Sequence, residues 1–175
     1  MKTMASIKGQ PIHSMLMVIP AGAFALVLVF DLLYLLGAGD IWWIATEPLI
    51  IAGIGGGILA AIPGAVDLFT SIRSDKAINV ATGHVIAAFI LLVAFTINLM
   101  ARQGAAPGEA PGAVWWSVIG FALMLITAWL GGRLVYNHGV GIDVSILEKE
   151  STTHKTNVGK QTRRGRKIEE LESPA

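Results

Sequence analysis

The sequence predicts an all-α integral membrane protein, a four-helix bundle with both termini in the cytoplasm and a disordered, charged C-terminal tail. Of its 175 residues, 54% are hydrophobic and 14% are charged, whereas soluble domains carry about 25% charged residues. The mean hydropathy is +0.65. Four apolar segments each reach the roughly 20 residues with which a helix crosses the hydrocarbon core. Nearly all the charge lies outside these segments, which is typical of a multi-pass membrane protein.

The first two apolar segments cover about residues 12–36 and 42–69. The first is longer than the roughly 7–15 apolar residues of a signal peptide, so we expect it to be retained as a transmembrane helix. The second contains the spacings Ala52/Gly56 and Gly53/Gly57, with which small residues let a neighbouring helix come close. Pro63 is expected to kink this helix.

The third and fourth segments cover about residues 77–100 and 114–138. Between them, residues 102–112 are rich in Gly, Ala and Pro and are predicted to form a loop. Gly139 follows the fourth segment, where a glycine commonly terminates a helix.

These boundaries predict a membrane domain over residues 1–143 and a polar, disordered tail over residues 144–175. Four spans place the N-terminus, the 70–76 loop and the tail on one side, with all the Lys and Arg residues except Arg102. The positive-inside rule makes this side the cytoplasm. The pairs Trp42-Trp43 and Trp115-Trp116 then fall at the outer interface, as an aromatic belt would.

Composition and motifs exclude several classes of function. The chain has no cysteine, which removes disulfides, thiolate metal ligands and covalently attached haem. It contains no phosphate-binding loop, nucleophile elbow or His-Glu-x-x-His motif, so we assign no catalytic residue and lean against an enzyme. The basic tail lacks interleaved aromatic residues, so we expect it to contact anionic lipid headgroups and not nucleic acid.

Four ionisable residues fall in the cytoplasmic half of the predicted bundle, each on a different helix. They are His13, Asp67, His84 and His138. Ionisable groups within spans are costly and usually face the bundle interior, so they are candidates for a functional site. His138 could instead bond the last carbonyls of its helix, and His13 could be solvated among the headgroups.

Several interpretations of this set remain open. His84 with either His138 or His13 could be the axial ligands of a b-type haem that passes electrons to a redox partner, with Arg133 pairing with its propionates. On the fourth helix, a face with small side chains would leave room for the flat ring of a haem. We call it the slim face, and it is formed by Val135, Gly131, Ala128 and Thr127. Alternatively, the three histidines and Asp67 could bind a divalent metal or relay protons. They could also lock the helix ends of a cofactor-free structural or accessory subunit.

The outer half of the predicted bundle contains two further acidic residues, Asp31 and Glu47. Both lie within about two turns of the predicted boundary, close enough for the side chains to reach water. We therefore expect them to be solvated and assign them no chemistry.

The residues so far described resemble the DUF2231 family of predicted four-helix bacterial membrane proteins. The resemblance covers roughly residues 10–143. It rests on His13, Phe30-Asp31-Leu32-Leu33, Gly64-Ala-Val-Asp67, His84 and above all Gly131-Gly-Arg-Leu-Val-Tyr-Asn-His-Gly-Val-Gly141. Family members typically open with His-Pro-x-His-Pro, whereas this chain reads Gln10-Pro11-Ile12-His13-Ser14, so only His13 corresponds. The resemblance implies the bacterial inner membrane and a redox setting, since the family is similar to membrane-embedded b-type cytochromes.

Overall fold

The predicted transmembrane helices are confirmed. The computed structural model describes residues 4–72 and 74–141, within a first compact unit, Met1–Ile142. Its helices are α1 (Ile12–Leu16), α2 (Val18–Leu35), α3 (Ile41–Ser71), α4 (Asp75–Arg102) and α5 (Gly112–His138). Within the described residues, four spans are long and apolar enough to cross a membrane, α1 and α2 together counting as one. The predicted disordered tail at 144–175 lies outside the described residues.

Two differences between the observed and the predicted boundaries bear on the packing of the bundle. Met17 separates α1 from α2 within the first span. The prediction that Arg102 begins a loop is wrong, because α4 continues to this residue. The physical reason is that Arg102 is 3% exposed and its side chain has partners inside the bundle, so the helix extends far enough to bring it there.

A small hairpin, which was not predicted from the sequence, precedes the first span. Strands β1 (Ser6–Ile7) and β2 (Gln10–Pro11) pair antiparallel. Lys8 and Gly9 form the turn with φ of 50° and 84°, the positive values that two-residue hairpins favour.

The bundle consists of two helical hairpins that pack most closely within themselves. We call Ile12–Ser71 (α1, α2 and α3) the first hairpin and Asp75–His138 (α4 and α5) the second hairpin. The end of the bundle at which α1 begins is called the histidine end, and the end at which α4 terminates is called the arginine end. Because lipid tails are as apolar as the side chains, close packing and hydrogen bonds hold such helices together, with little help from the hydrophobic effect.

The middle of the bundle is filled by two stacked phenylalanines, one from each hairpin. Phe24 and Phe95 are at most 1% exposed, and their rings are nearly parallel with centroids 3.8 Å apart. Each ring lies against a glycine of its own hairpin, Gly53 beneath Phe24 and Gly120 beneath Phe95. A Cβ at Gly120 would come within 2.6 Å of the Phe95 ring, so these positions require glycine for the helices to come this close.

Candidate functional site

His13 lies on α1 at the histidine end and is held against α3. Its Nδ1 is 2.7 Å from the carbonyl oxygen of Ala60. One turn further along α3, Gly64 faces the same ring, and a Cβ there would approach the His13 Nδ1 to 2.8 Å. Gly64 therefore makes the space in which the imidazole reaches the backbone of α3.

His84 lies on α4 and is held against α5 in the same manner. Its Nδ1 is 3.0 Å from the carbonyl oxygen of Thr127, and a Cβ at Gly131 would lie 3.3 Å from its Cε1. Thr127 and Gly131 are part of the slim face that the sequence predicted. In the structure that face accommodates His84 of the neighbouring helix.

The two histidines meet at the histidine end of the bundle. Their ring centroids are 6.2 Å apart and their planes are nearly perpendicular, at 84°. A carbonyl oxygen only accepts hydrogen bonds, so each Nδ1 carries the hydrogen, and in the neutral form of either ring Nε2 would present a lone pair. This is the tautomer found in metal-binding histidines, whose other nitrogen donates to a carbonyl or carboxylate that fixes the ring.

Both Nε2 atoms face accessible space. Within the described residues, the hydrogen bonds of His13 and His84 are made through Nδ1 alone. No buried side-chain nitrogen or oxygen there lacks a partner, so an unbonded Nε2 is accessible. The lone pairs are thus available to a ligand.

Ring centroids 6.2 Å apart with perpendicular planes are an edge-to-face contact between the two imidazoles. Both rings therefore border the same space at the histidine end of the bundle.

The other predicted ligands lie apart from this pair. Asp67 is buried and accepts a hydrogen bond from the Ala5 backbone nitrogen at 3.1 Å, so it holds the N-terminal segment in place. His138 is the last residue of α5, and Gly139 ends that helix as predicted, with φ of 64°. Among the described residues, no group of three or more His, Asp or Glu could hold a metal ion, so the predicted four-residue metal set is not assembled.

Arg133, the predicted partner of haem propionates, packs on an aromatic ring of its own helix. Its guanidinium carbon lies 5.0 Å from the centre of the Trp129 ring. Trp129 is 62% exposed and so faces the surroundings of the bundle. The cation therefore lies on the outside of α5 in this structure.

A second polar cluster, not predicted from the sequence, lies at the arginine end. The Arg102 Nη2 donates to both carboxylate oxygens of Asp31, at 2.8 and 2.7 Å. Its Nη1 donates to the Thr46 hydroxyl at 2.8 Å and its Nε to the Asn98 amide oxygen at 2.8 Å. Ser117 then accepts a bond from the Asn98 amide at 2.6 Å. We call these five residues, from all four spans, the arginine cluster.

The arginine cluster corrects two interpretations of single residues. Asp31 is 0% exposed, so the expectation that it reaches water is wrong. Trp43, expected in the outer aromatic belt, is 4% exposed, and the Arg102 guanidinium lies 4.3 Å from its ring centre. Opposite charges in the same half of an apolar bundle are seldom unpaired, and this signal could have predicted the pair of Asp31 and Arg102.

Fold and site together define a class of protein: a four-span membrane bundle that carries a histidine pair at one end and a buried ion pair at the other. The family described as "Predicted membrane protein (DUF2231)" matches residues 9–144. The chain belongs to this family. A search of curated proteins and a search of solved structures each found no match.

Proposed function

We propose that this protein is a membrane electron carrier that binds one b-type haem between His13 and His84. The observation that carries the proposal is the pair itself, with perpendicular imidazoles 6.2 Å apart and each Nδ1 on a backbone carbonyl. Two histidines from separate helices are a common way to hold haem iron inside a bundle. The bound iron would supply one-electron transfer to a redox partner.

The chain's own residues prepare the site in two ways. The carbonyls of Ala60 and Thr127 fix the tautomer and orientation of the rings, which preserves the Nε2 lone pairs for coordination. The glycines at 64 and 131 make the space in which the imidazoles lie against α3 and α5, and the site lies between the two hairpins, which pack less closely with each other than within themselves.

The test is an absorption spectrum of protein purified from haem-replete cells, air-oxidised and then reduced with dithionite. We expect a Soret band that shifts on reduction and a six-coordinate, low-spin spectrum. His13→Ala and His84→Ala should each give a high-spin spectrum, and added imidazole should restore the low-spin form. His138→Ala and His154→Ala are matched controls and should behave as the parent.

Two results would contradict the proposal. A colourless parent protein with intact helical circular dichroism would favour a cofactor-free structural or accessory subunit. Stoichiometric copper or zinc with no Soret band would favour a metal site formed by the same histidines.

We further propose that both termini lie in the cytoplasm and that the membrane is the bacterial inner membrane. The distribution of Lys and Arg supports this orientation, because twelve of the thirteen fall in the segment before the first span, in the 70–76 connection and its flanks, near the end of the fourth span or in the tail. The remaining one, Arg102, is buried against Asp31 and adds no charge to the opposite loop. The positive-inside rule then favours a cytoplasmic histidine end.

The orientation is testable because the chain has no cysteine of its own. Ser74→Cys and Ala106→Cys place single thiols in the exposed connections at opposite ends of the bundle. In intact cells a membrane-impermeant maleimide should label the Ala106→Cys variant and spare the Ser74→Cys variant. Labelling of the Ser74→Cys variant alone would reverse the orientation.

A further inference from the structure

The two histidine environments are built from matching positions of the two hairpins. Each imidazole donates to a carbonyl of the partner helix in its own hairpin, and each faces a glycine four residues beyond that carbonyl. The histidines are 71 positions apart, and both the carbonyls and the glycines are 67 positions apart. The matching pairs are His13/His84, Ala60/Thr127 and Gly64/Gly131.

The same two offsets relate the residues that fill the middle of the bundle. Phe24 and Phe95 are 71 positions apart, and the glycines beneath them, Gly53 and Gly120, are 67 apart. Each phenylalanine touches the glycine of its own hairpin, and the two rings stack on each other between the hairpins. A stack of equivalent residues on each other is what a two-fold axis through the bundle would produce.

The same offsets, of 71 and 67 positions, also relate the residues of the arginine cluster to buried positions of the other hairpin, although the residue types differ there. Asp31 and Arg102 are 71 positions apart and bind each other. The positions matched to the remaining members of the cluster are all buried as well. These matches are Val27/Asn98, Thr46/Ala113 and Ile50/Ser117.

Residue identities follow the offset of 71 along the first helix of each hairpin. The identical pairs are His13/His84, Ile19/Ile90, Ala23/Ala94, Phe24/Phe95 and Leu28/Leu99. The matched helices also run in the same direction, since each hairpin begins at the histidine end. This arrangement is a parallel repeat, whose axis runs along the bundle and the membrane normal.

We propose that the chain is a tandem pair of equivalent helical hairpins, and that His13 and His84 form one shared site on the two-fold axis between them. Such a site would take one ligand per chain, held equally by the two histidines, and under the proposed function that ligand would be the iron of one haem. The ligand class rests on the proposed function, whereas the repeat rests on the contacts of the hairpins alone.

The charges of the arginine cluster explain why the repeat is asymmetric at that end. Two identical charges at matched positions would meet at the axis and repel each other. An aspartate in one hairpin and an arginine in the other attract each other, and the Arg102 Nη2 donates to both carboxylate oxygens of Asp31. The repeat therefore predicts that the five residues of the cluster can be exchanged with their matched positions, at the expense of the contact between the guanidinium and Trp43.

The first test is that exchange. The exchanged variant carries V27N, D31R, T46A, I50S, N98V, R102D, A113T and S117I. It should fold as a monodisperse protein with an unfolding midpoint close to that of the parent. A control with only the four changes in the first hairpin sets a second guanidinium against that of Arg102 and should unfold far more readily. An exchanged variant as unstable as this control would overturn the repeat.

The second test counts hemin and compares the two ligands. Titration of the parent should saturate at one hemin per chain. His13→Ala and His84→Ala should change the spectrum equally, and the double variant should no longer bind hemin at an axial position. Saturation at two equivalents, or a spectrum sensitive to only one histidine, would overturn the shared site.

Failure of the two proposals can be told apart. A colourless parent whose exchanged variant folds well would contradict haem binding and support the repeat. A coloured parent whose exchanged variant collapses would support haem binding and contradict the repeat.

Discussion

Replacing Arg102 by leucine tests whether the arginine cluster holds the four spans together. In the variant, Asp31 would remain 0% exposed and would lose the only hydrogen-bond donor that it has within the described residues. Breaking a buried ion pair by removing one partner costs about 3–5 kcal/mol. At 1.36 kcal/mol per factor of ten, the ratio of folded to unfolded protein should fall roughly a hundred-fold to several thousand-fold.

The double variant Asp31→Leu/Arg102→Leu should recover most of this loss. Replacing both charges by apolar groups is often close to neutral. The Asn98 amide oxygen loses its donor, but Asn98 still donates to Ser117 at 2.6 Å and Thr46 still donates to the Trp43 carbonyl at 2.6 Å. The double variant is therefore expected to be more stable than the single one.

The measurement is unfolding by SDS in mixed micelles, followed by far-UV circular dichroism. Lys76→Leu, which removes an exposed cation at the other end of α4, is the matched control and should leave the transition unchanged. A single variant as stable as the parent would refute the structural role of the ion pair. A double variant less stable than the single one would show that Asp31 stabilises the fold even when Arg102 is absent.

Two further predictions follow from the packing of the bundle. Gly53→Ala and Gly120→Ala should each destabilise the protein by about 1–3 kcal/mol through overpacking, because the added methyl meets a buried phenylalanine ring. The control is Gly55→Ala, since a Cβ at Gly55 would have nothing within 4 Å. This control should be neutral or stabilising in the same unfolding assay. Asp67→Ala removes the acceptor of the Ala5 amide, so hydrogen exchange at Ala5 should accelerate, whereas Asp75→Ala, at an exposed position, should leave it unchanged. Equal exchange in both variants would contradict the role given to Asp67.

The spans could be predicted from the sequence because hydropathy and span length are local properties. The side-chain partners could not, because they depend on which faces meet. The slim face around Gly131 was predicted to leave room for the flat ring of a haem, whereas in the structure the imidazole of His84 on the adjacent helix lies against it. His13 and His84 were both candidates, and the structure selects them as a pair since their rings are 6.2 Å apart.

The buried ion pair shows a second limit of the sequence. Helix ends are the least certain part of a prediction from sequence, and placing Arg102 in a loop separated it from its partner. The internal repeat was hidden for a related reason. Few residue types are shared between the hairpins, whereas their positions share burial and contacts, which become visible only in three dimensions.

The most direct test of the central claim is the reduced and oxidised absorption spectrum of the parent, compared with His84→Ala and His138→Ala. If His13 and His84 bind haem iron, the parent and the His138 variant should show the same low-spin Soret shift, and the His84 variant should lose it. A parent without a Soret band, or a shift lost in the His138 variant and kept in the His84 variant, would contradict the account.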